Sequence, residues 1–243
     1  MSRSTANLWC AAACAARAVP VALVLPILGG AGICGNVLVD ITQRELILDP
    51  VAAVDFAVDS GAVEIYAFDR NGISLFYYMT GSLRVIGDVG YALNGDTLEV
   101  TSVCESDGFC NVNWSAEIMR GTAVDVNSGN GDVKVIGVDE VLRAEVAGGG
   151  FEGVGLRAPE LDVTVDEGDV EVEMVEAPTR ANIAVHAGNV TLTLPQGTYR
   201  CVLDTADGEI DTTGVTCDEM ATAVIEVTVE SAGDITLLPG ESP

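Results

Sequence analysis

The sequence predicts an all-β protein made of short strands joined by glycine turns. Runs that alternate apolar and polar residues recur along the chain, for example at residues 161–165 (LDVTV) and 190–194 (VTLTL). A period of two buries one face of a strand and leaves the other in water. Val, Ile and Thr dominate these runs, and beyond residue 50 no helical spacing of apolar residues is sustained over ten positions.

One type of turn repeats through the second half of the chain. Gly131, Gly168, Gly188, Gly208 and Gly233 each precede an Asp, Asn or Glu and then an aliphatic residue, at steps of 37, 20, 20 and 25 residues. A glycine cluster at residues 148–150 stands where a copy is missing from the longest step. Glycine tolerates positive φ, so we expect these glycines to be structural.

The spacing of the turns predicts how the strands assemble. A unit of about twenty residues with two short strands cannot bury its own apolar face, so copies must pack on each other. This predicts a solenoid-like or stacked β-strand repeat. A β-sandwich with regular hairpins gives similar turn spacing and is the alternative.

The N-terminal segment, residues 1–34, has the pattern of a signal peptide or hydrophobic leader. It contains no acidic residue, carries Arg3 and Arg17, and ends in an apolar run over residues 18–34. That run is short for a bilayer span and is interrupted by Pro and Gly, which favours cleavage, near Ala31, over a permanent anchor. A hydrophobic helix of a cytosolic protein is the remaining alternative.

Cys34 raises the question of a lipoprotein. A bacterial acylation site has a small residue directly before the cysteine, whereas this chain has Ile33. Acylation of Cys34 is therefore disfavoured but kept as an alternative. Membrane attachment is expected only through an uncleaved or acylated N-terminus.

The four cysteines of the body predict two disulfides. Cys104 with Cys110 and Cys201 with Cys217 are the close pairs, and each brackets an Asp-Gly turn. Four buried free thiols or a zinc site are the alternatives, but neither pair has the two-residue spacing of zinc knuckles. Disulfides agree with export to an oxidising compartment.

The aromatic residues concentrate between the leader and the repeats. Half of all Phe and Tyr residues lie within residues 68–91. We interpret this stretch as the core of a small sheet in an N-terminal β cap, residues 35–97, preceding a repeat domain at residues 98–243. Tyr77 and Tyr78 are adjacent in a predicted strand, so one of them must face outward.

Composition excludes several function classes. Eleven basic against 37 acidic residues give a net charge of −26, which excludes nucleic acid as a partner. The single histidine, His186, excludes His-clustered metal sites and any His-dependent nucleophile elsewhere. His186 falls on an alternating run, where we interpret it as an ordinary strand residue.

Acidic turn residues suggest calcium as the alternative to a protein without a cofactor. Asp166, Glu167 and Asp169 lie close together, but their spacing fits neither an EF-hand nor the calcium nonapeptide. We interpret them as a solvated acidic face. A carbohydrate-cleaving site would need basic residues, for which Arg180 and Arg200 are the nearest candidates.

Residues 121–135 (GTAVDVNSGNGDVKV) resemble the repeat of the bacterial putative-adhesin domain family. Further similarity lies at residues 188–190 and 194–199, and the resemblance covers about residues 98–238. It implies a β-strand-repeat fold in the cell envelope and defines no catalytic residue. The prediction is a non-enzymatic adhesin-like or scaffolding protein, exported to the periplasm, the cell surface or the medium, which binds an envelope protein or a glycan.

Overall fold

The computed structural model describes residues 38–47, 51–82, 86–104 and 110–240. In these ranges all helical or strand secondary structure is β-strand. The predicted all-β fold is therefore confirmed. The predicted leader, with Cys34, lies outside the described residues. Within the described ranges, no helix has the length and hydropathy needed to cross a membrane.

The strands lie within one compact unit, Asn36–Pro243. In chain order they are β1 (Leu38–Ile47), β2 (Ala53–Val58), β3 (Val63–Phe68), β4 (Ile73–Ser82), β5 (Ile86–Asn94), β6 (Thr97–Cys104), β7 (Cys110–Met119), β8 (Ala123–Asn130), β9 (Val133–Ile136), β10 (Leu142–Gly148), β11 (Phe151–Leu156), β12 (Glu160–Glu167), β13 (Val170–Met174), β14 (Arg180–Ala187), β15 (Val190–Leu194), β16 (Thr198–Asp207), β17 (Ile210–Asp211), β18 (Thr216–Cys217), β19 (Val224–Ala232) and β20 (Ile235–Pro239).

These strands form two ten-stranded sheets. The first sheet has the order β1-β4-β7-β3-β9-β11-β13-β15-β20-β17, and the second has β18-β16-β19-β14-β12-β10-β8-β2-β6-β5. Most neighbours run parallel, but β1, β4 and β7 pair antiparallel at one end, as do β5 and β6. Both sheets are therefore mixed, and each has two edge strands instead of closing into a barrel.

The two sheets are linked by a repeated two-strand unit. Each unit consists of one strand of the second sheet, a turn, and the next strand in the chain, which belongs to the first sheet. In β12 the alternate residues Val163 and Val165 are buried. The chain turns at Gly168 and enters β13, where Val170 and Val172 are buried. Because the sequence keeps its period of two on both sides of the turn, each unit presents apolar residues from both strands to the same interior.

The buried rows of the two sheets face each other in one core. Trp114 of β7 packs edge-on against Phe56 of β2, with ring centroids 6.4 Å apart. Its indole N–H donates to Ser102 Oγ of β6 at 3.3 Å, which satisfies the buried donor. Tyr77 lies 4.8 Å from the Trp114 ring, so this member of the aromatic stretch faces the interior, and Tyr78 is on the outer face.

The units do not stack in chain order at either end. The β2–β3 unit lies between β6–β7 and β8–β9, although β6 and β7 follow it in the chain. The β19–β20 unit lies between β14–β15 and β16–β17, although β16 and β17 precede it. From β8 to β15 the spatial order follows the sequence. The predicted boundary between residues 97 and 98 stays a prediction.

Candidate binding surface

The predicted turn glycines lie in one column along the side of the molecule. Gly131, Gly168 and Gly188 have φ of 140°, 154° and 148°, the region that favours glycine. Gly149, from the glycine cluster, has φ of 129° and occupies the position between Gly131 and Gly168. The same position in the last two units belongs to Gly233 and then Gly208, neither of which has positive φ.

Close backbone contact explains the glycines of this column. A Cβ on Gly188 would fall on the carbonyl oxygen of Gly168, and one on Gly233 would fall on that of Gly188. A Cβ on Gly208 would likewise meet the Gly233 carbonyl. Glycine is therefore required at Gly208 and Gly233 by space alone, and at Gly188 by both space and φ.

At most of these turns, the residue after the glycine links its unit to the next. Asp169 Oδ1 accepts a hydrogen bond from the Asn189 backbone N–H at 2.8 Å. Asn189 Oδ1 accepts from the Asp234 N–H at 3.0 Å, and Asp234 Oδ1 accepts from the Glu209 N–H at 2.8 Å. This Asx ladder explains why Asp and Asn, with short side chains and a terminal oxygen, follow the glycines.

The calcium candidates divide between two roles. Asp169 is part of the Asx ladder, where the same oxygen also accepts from the Asn189 side-chain amide at 3.1 Å. Asp166 and Glu167 end β12 with exposed side chains. In the described part of the chain, no three His, Cys, Asp or Glu residues form a group that could hold a metal. The structure therefore gives calcium no support, and it stays the alternative.

Both predicted disulfides are present. Cys104 is bonded to Cys110, with Cα atoms 5.9 Å apart, and joins β6 of the second sheet to β7 of the first. Cys201 is bonded to Cys217, with Cα atoms 5.5 Å apart, and fixes β18 beside β16 at the opposite end. The Asp107-Gly108 turn inside the first pair lies outside the described residues.

The other sequence candidates do not converge on one site. His186 lies exposed on β14, with Nδ1 3.1 Å from Glu230 Oε2. Arg180 pairs with Glu226 at 3.1 Å on the same face, and Arg200 is exposed on β16. Arg180 lines a recess of about 270 Å³ with Glu160 and Asp162, but neither His186 nor Arg200 lines it.

A groove on the outer face of the first sheet combines aromatic and polar side chains. Its volume is about 420 Å³. Phe76 of β4 forms one wall, and Tyr66 and Phe68 of β3 form the other. We call this the aromatic groove; its remaining lining residues are Arg44, Ser74, Ser115 and Glu117.

Ion pairs and hydrogen bonds fix the polar part of the aromatic groove. Arg70 Nη1 lies 2.6 Å from Glu117 Oε2, and the Arg70 guanidinium sits over the Phe68 ring at 5.9 Å. Tyr66 donates its hydroxyl to Glu64 Oε2 at 2.9 Å, and this hydrogen bond, together with burial, raises the pKa of Tyr66. Tyr66 therefore keeps its proton at neutral pH and presents a neutral ring to the groove.

Sequence reasoning found only part of this surface. It singled out the stretch that holds Phe68 and Phe76, but it missed Arg44, Tyr66 and Glu117. The alternation in residues 63–68 (VEIYAF) was a usable signal, because burial of Val63 and Ile65 puts Tyr66 and Phe68 together on the outer face. The cross-strand neighbours had no local signal.

Comparison with known proteins gives a likeness of fold. No family model and no curated protein matches the chain. A putative cell adhesion protein from Clostridium sporogenes has a similar solved structure, with a TM-score of 0.51 and 12% identity over 83% of this chain and 100% of that one. The chain shares that protein's fold. The resemblance to putative adhesins is thus confirmed in structure.

Weaker structural similarities were also found. A putative lipid binding protein from Parabacteroides distasonis has a TM-score of 0.38 and 13% identity, covering 82% of this chain and 96% of its own. A putative adhesin from Bacteroides fragilis has a TM-score of 0.34 and 11% identity, covering 82% and 97%. We draw no argument about function from either.

Proposed function

We propose that the protein is an exported, non-enzymatic, adhesin-like protein that binds an extracellular partner through the outer faces of its sheets. The observation that carries the proposal is the aromatic groove, a recess walled by Phe76 on one side and by Tyr66 and Phe68 on the other. Large aromatic side chains at a protein surface are typical of recognition sites. The two disulfides support folding in an oxidising compartment outside the cytoplasm.

The scaffold suits presentation of such a surface. We interpret the two-strand units as coils of a solenoid-like stack, because neighbouring units run parallel and in register, as β12 does with β14. The glycine column and the Asx ladder tie successive units together on one side. A stack of this kind holds side chains of separate strands at fixed spacing, which a binding surface requires.

Export and adhesion are tested together in cells that produce the full-length chain. Cells producing it with a surface anchor fused to its C-terminus should adhere to immobilised mucin, and cells producing the same fusion without residues 1–34 should not. The fused anchor is needed because cleavage of the leader removes the expected membrane attachment. Intact mass of the exported protein should show loss of the leader and of four hydrogens, one pair for each disulfide. Equal adhesion of the two strains, or four thiols that alkylate without reductant, would contradict the proposal.

The same assay distinguishes the calcium-dependent alternative from the present proposal. If adhesion disappears in chelator and returns with calcium, a metal-dependent site in the acidic turns replaces the present proposal. Adhesion that is indifferent to chelator agrees with recognition by side chains alone.

A further inference from the structure

Exposed aromatic rings collect at one end of the first sheet's outer face. Phe68 is 43% exposed and Phe76 is 39% exposed. Tyr66 stacks on Phe68 with ring centroids 6.3 Å apart and the planes inclined by 12°. In the register of Tyr66, the next two strands carry aliphatic residues in place of rings, Ile136 on β9 and Val154 on β11. Three rings are thus kept in contact with water at one place, against the hydrophobic effect.

The strand order puts a polar floor between the aromatic walls. β7 lies between β4 and β3, and its residue Ser115 is the register partner of Phe76, as Glu117 is of Tyr66. Two strand spacings separate the walls, about 10 Å at the backbone. A ligand in the aromatic groove therefore meets aromatic side chains at its sides and the polar side chains of Ser115 and Glu117 below.

Charge disfavours an anionic ligand. Arg70 is paired with Glu117 at 2.6 Å, and Arg44 donates Nε to the neutral hydroxyl of Ser74 at 3.3 Å. The chain as a whole carries a net charge of −26. A phosphate or carboxylate would approach against this field and meet Arg44 alone, because Arg70 is paired with Glu117.

The floor also disfavours a purely apolar ligand. A lipid chain or an apolar peptide side chain seated in the groove would cover the Arg70–Glu117 ion pair without replacing its contacts to water. Covering the part of this pair that is still exposed carries a desolvation cost, which a purely apolar ligand does not offset. The ligand must bring hydroxyl groups for the floor and apolar faces for the walls.

A neutral sugar ring has both features, since its hydroxyls lie at its rim and its C–H bonds form apolar faces. We propose that the aromatic groove binds a neutral oligosaccharide, stacked on Phe76 and on the Tyr66–Phe68 pair, with hydroxyls bonded to Ser115 and Glu117. This inference rests on the proposed function and names its ligand class. The groove volume of about 420 Å³ is in the usual range of ligand pockets.

The test is a titration of the full-length chain with neutral tetrasaccharides of glucose, N-acetylglucosamine and galactose, followed by calorimetry. Phe76→Ala and Phe68→Ala should each weaken binding at least tenfold, and Phe76→Tyr should retain it because the ring face remains. Tyr91→Ala is the matched control. Tyr91 is 41% exposed but lies on the second sheet, so its loss should leave the dissociation constant unchanged. Melting temperatures of all variants check that they fold.

Three results would overturn the proposal. They are binding of none of the tetrasaccharides, binding that survives unchanged in both Ala variants, and binding of neutral phosphatidylcholine vesicles in place of sugars. Failure here is distinct from failure of the adhesin-like function. If cells still adhere to mucin stripped of its glycans, or adhere equally with the Phe76→Ala chain, the protein binds a partner but not through sugar in this groove.

Discussion

Gly188 lies in the middle of the glycine column, with φ of 148° and the Gly168 carbonyl oxygen where a side chain would begin. Replacing Gly188 by Ala should lower the free energy of unfolding by about 1–3 kcal/mol, because the backbone must move and the Asx ladder next to it is disturbed. Urea unfolding followed by circular dichroism measures the change.

Gly95 provides the matched control for this substitution. It also has positive φ, 69°, but nothing lies within 4 Å of its missing Cβ. Gly95→Ala adds backbone strain without a clash, so it should destabilise clearly less than Gly188→Ala. Equal losses for the two variants would mean that strain alone, and not close packing of the units, explains the column.

Asp55 is the residue at which pH should act on stability. It lies on the outer face of the second sheet between Glu99 and Asp125, its register partners on β6 and β8. Burial, and then the charges of Asp125 and Glu99, raise the pKa of Asp55 above its ordinary value. The folded state therefore holds this proton more tightly than the unfolded state, and ionised Asp55 destabilises the fold at neutral pH.

Asp55→Asn should accordingly raise the melting temperature at pH 7 and low salt. The gain should shrink as the pH falls from the raised pKa of Asp55 to below its ordinary value, because Asp55 then becomes protonated and loses its penalty. Asp162→Asn is the control, because Asp162 lies between Arg143 and Asn182 and accepts a hydrogen bond from the Asn182 amide at 2.9 Å. A stabilising Asp162→Asn would argue against repulsion in this row as the cause.

The strands themselves were predictable from local sequence. β12 and β13 alternate without error around their glycine, because one face of each strand is buried and a one-residue slip would expose all of it. The tripeptide at Gly168 also predicted the turn between them. At this scale, the information lies in residues that are neighbours in the chain.

The two disulfides are expected to stabilise the fold by different amounts. On the chain-entropy model, the bond from Cys201 to Cys217, 16 residues apart, contributes about 3 kcal/mol, and that from Cys104 to Cys110, 6 residues apart, contributes about 2 kcal/mol. Replacing both cysteines of the longer pair by Ala should therefore lower the melting temperature more than replacing the shorter pair. Scanning calorimetry compares the two; the reverse order would show that attachment of β6 to β7 matters more than loop length.

The aromatic groove could not be predicted from the sequence, because its walls and floor come from distant parts of the chain. Phe76, Tyr66 and Glu117 meet only because β7 lies between β4 and β3. The spatial order of the units was equally hidden: the step from Gly188 to Gly208 equals the step before it, yet Gly233 is the spatial neighbour of Gly188. Pairing order depends on contacts between distant strands, which period and turn chemistry do not encode.

For the whole molecule, the interior position of the β19–β20 unit predicts an unusual response to truncation. A chain ending at Leu194 keeps β14 and β15 as a complete last unit. A chain ending at Ala223 retains β16, β17 and β18 but lacks β19 and β20, with which β16 and β17 pair. The longer chain should therefore melt at a lower temperature and aggregate more than the shorter one, since it carries an unpaired apolar unit. A chain ending at Ala223 as stable as the full-length protein would contradict this.

The same interior position has a mechanical consequence. A load applied through the C-terminal side of the chain reaches β20 and then β19. β19 is hydrogen-bonded to β14 on one side and β16 on the other, and β20 is held likewise by β15 and β17. The pull must therefore shear two parallel interfaces in each sheet at once, whereas an edge strand would yield along one. Forced unfolding is governed by the height of the unfolding barrier and not by equilibrium stability. We therefore expect the inverted order of the units to raise the force needed to unfold the domain.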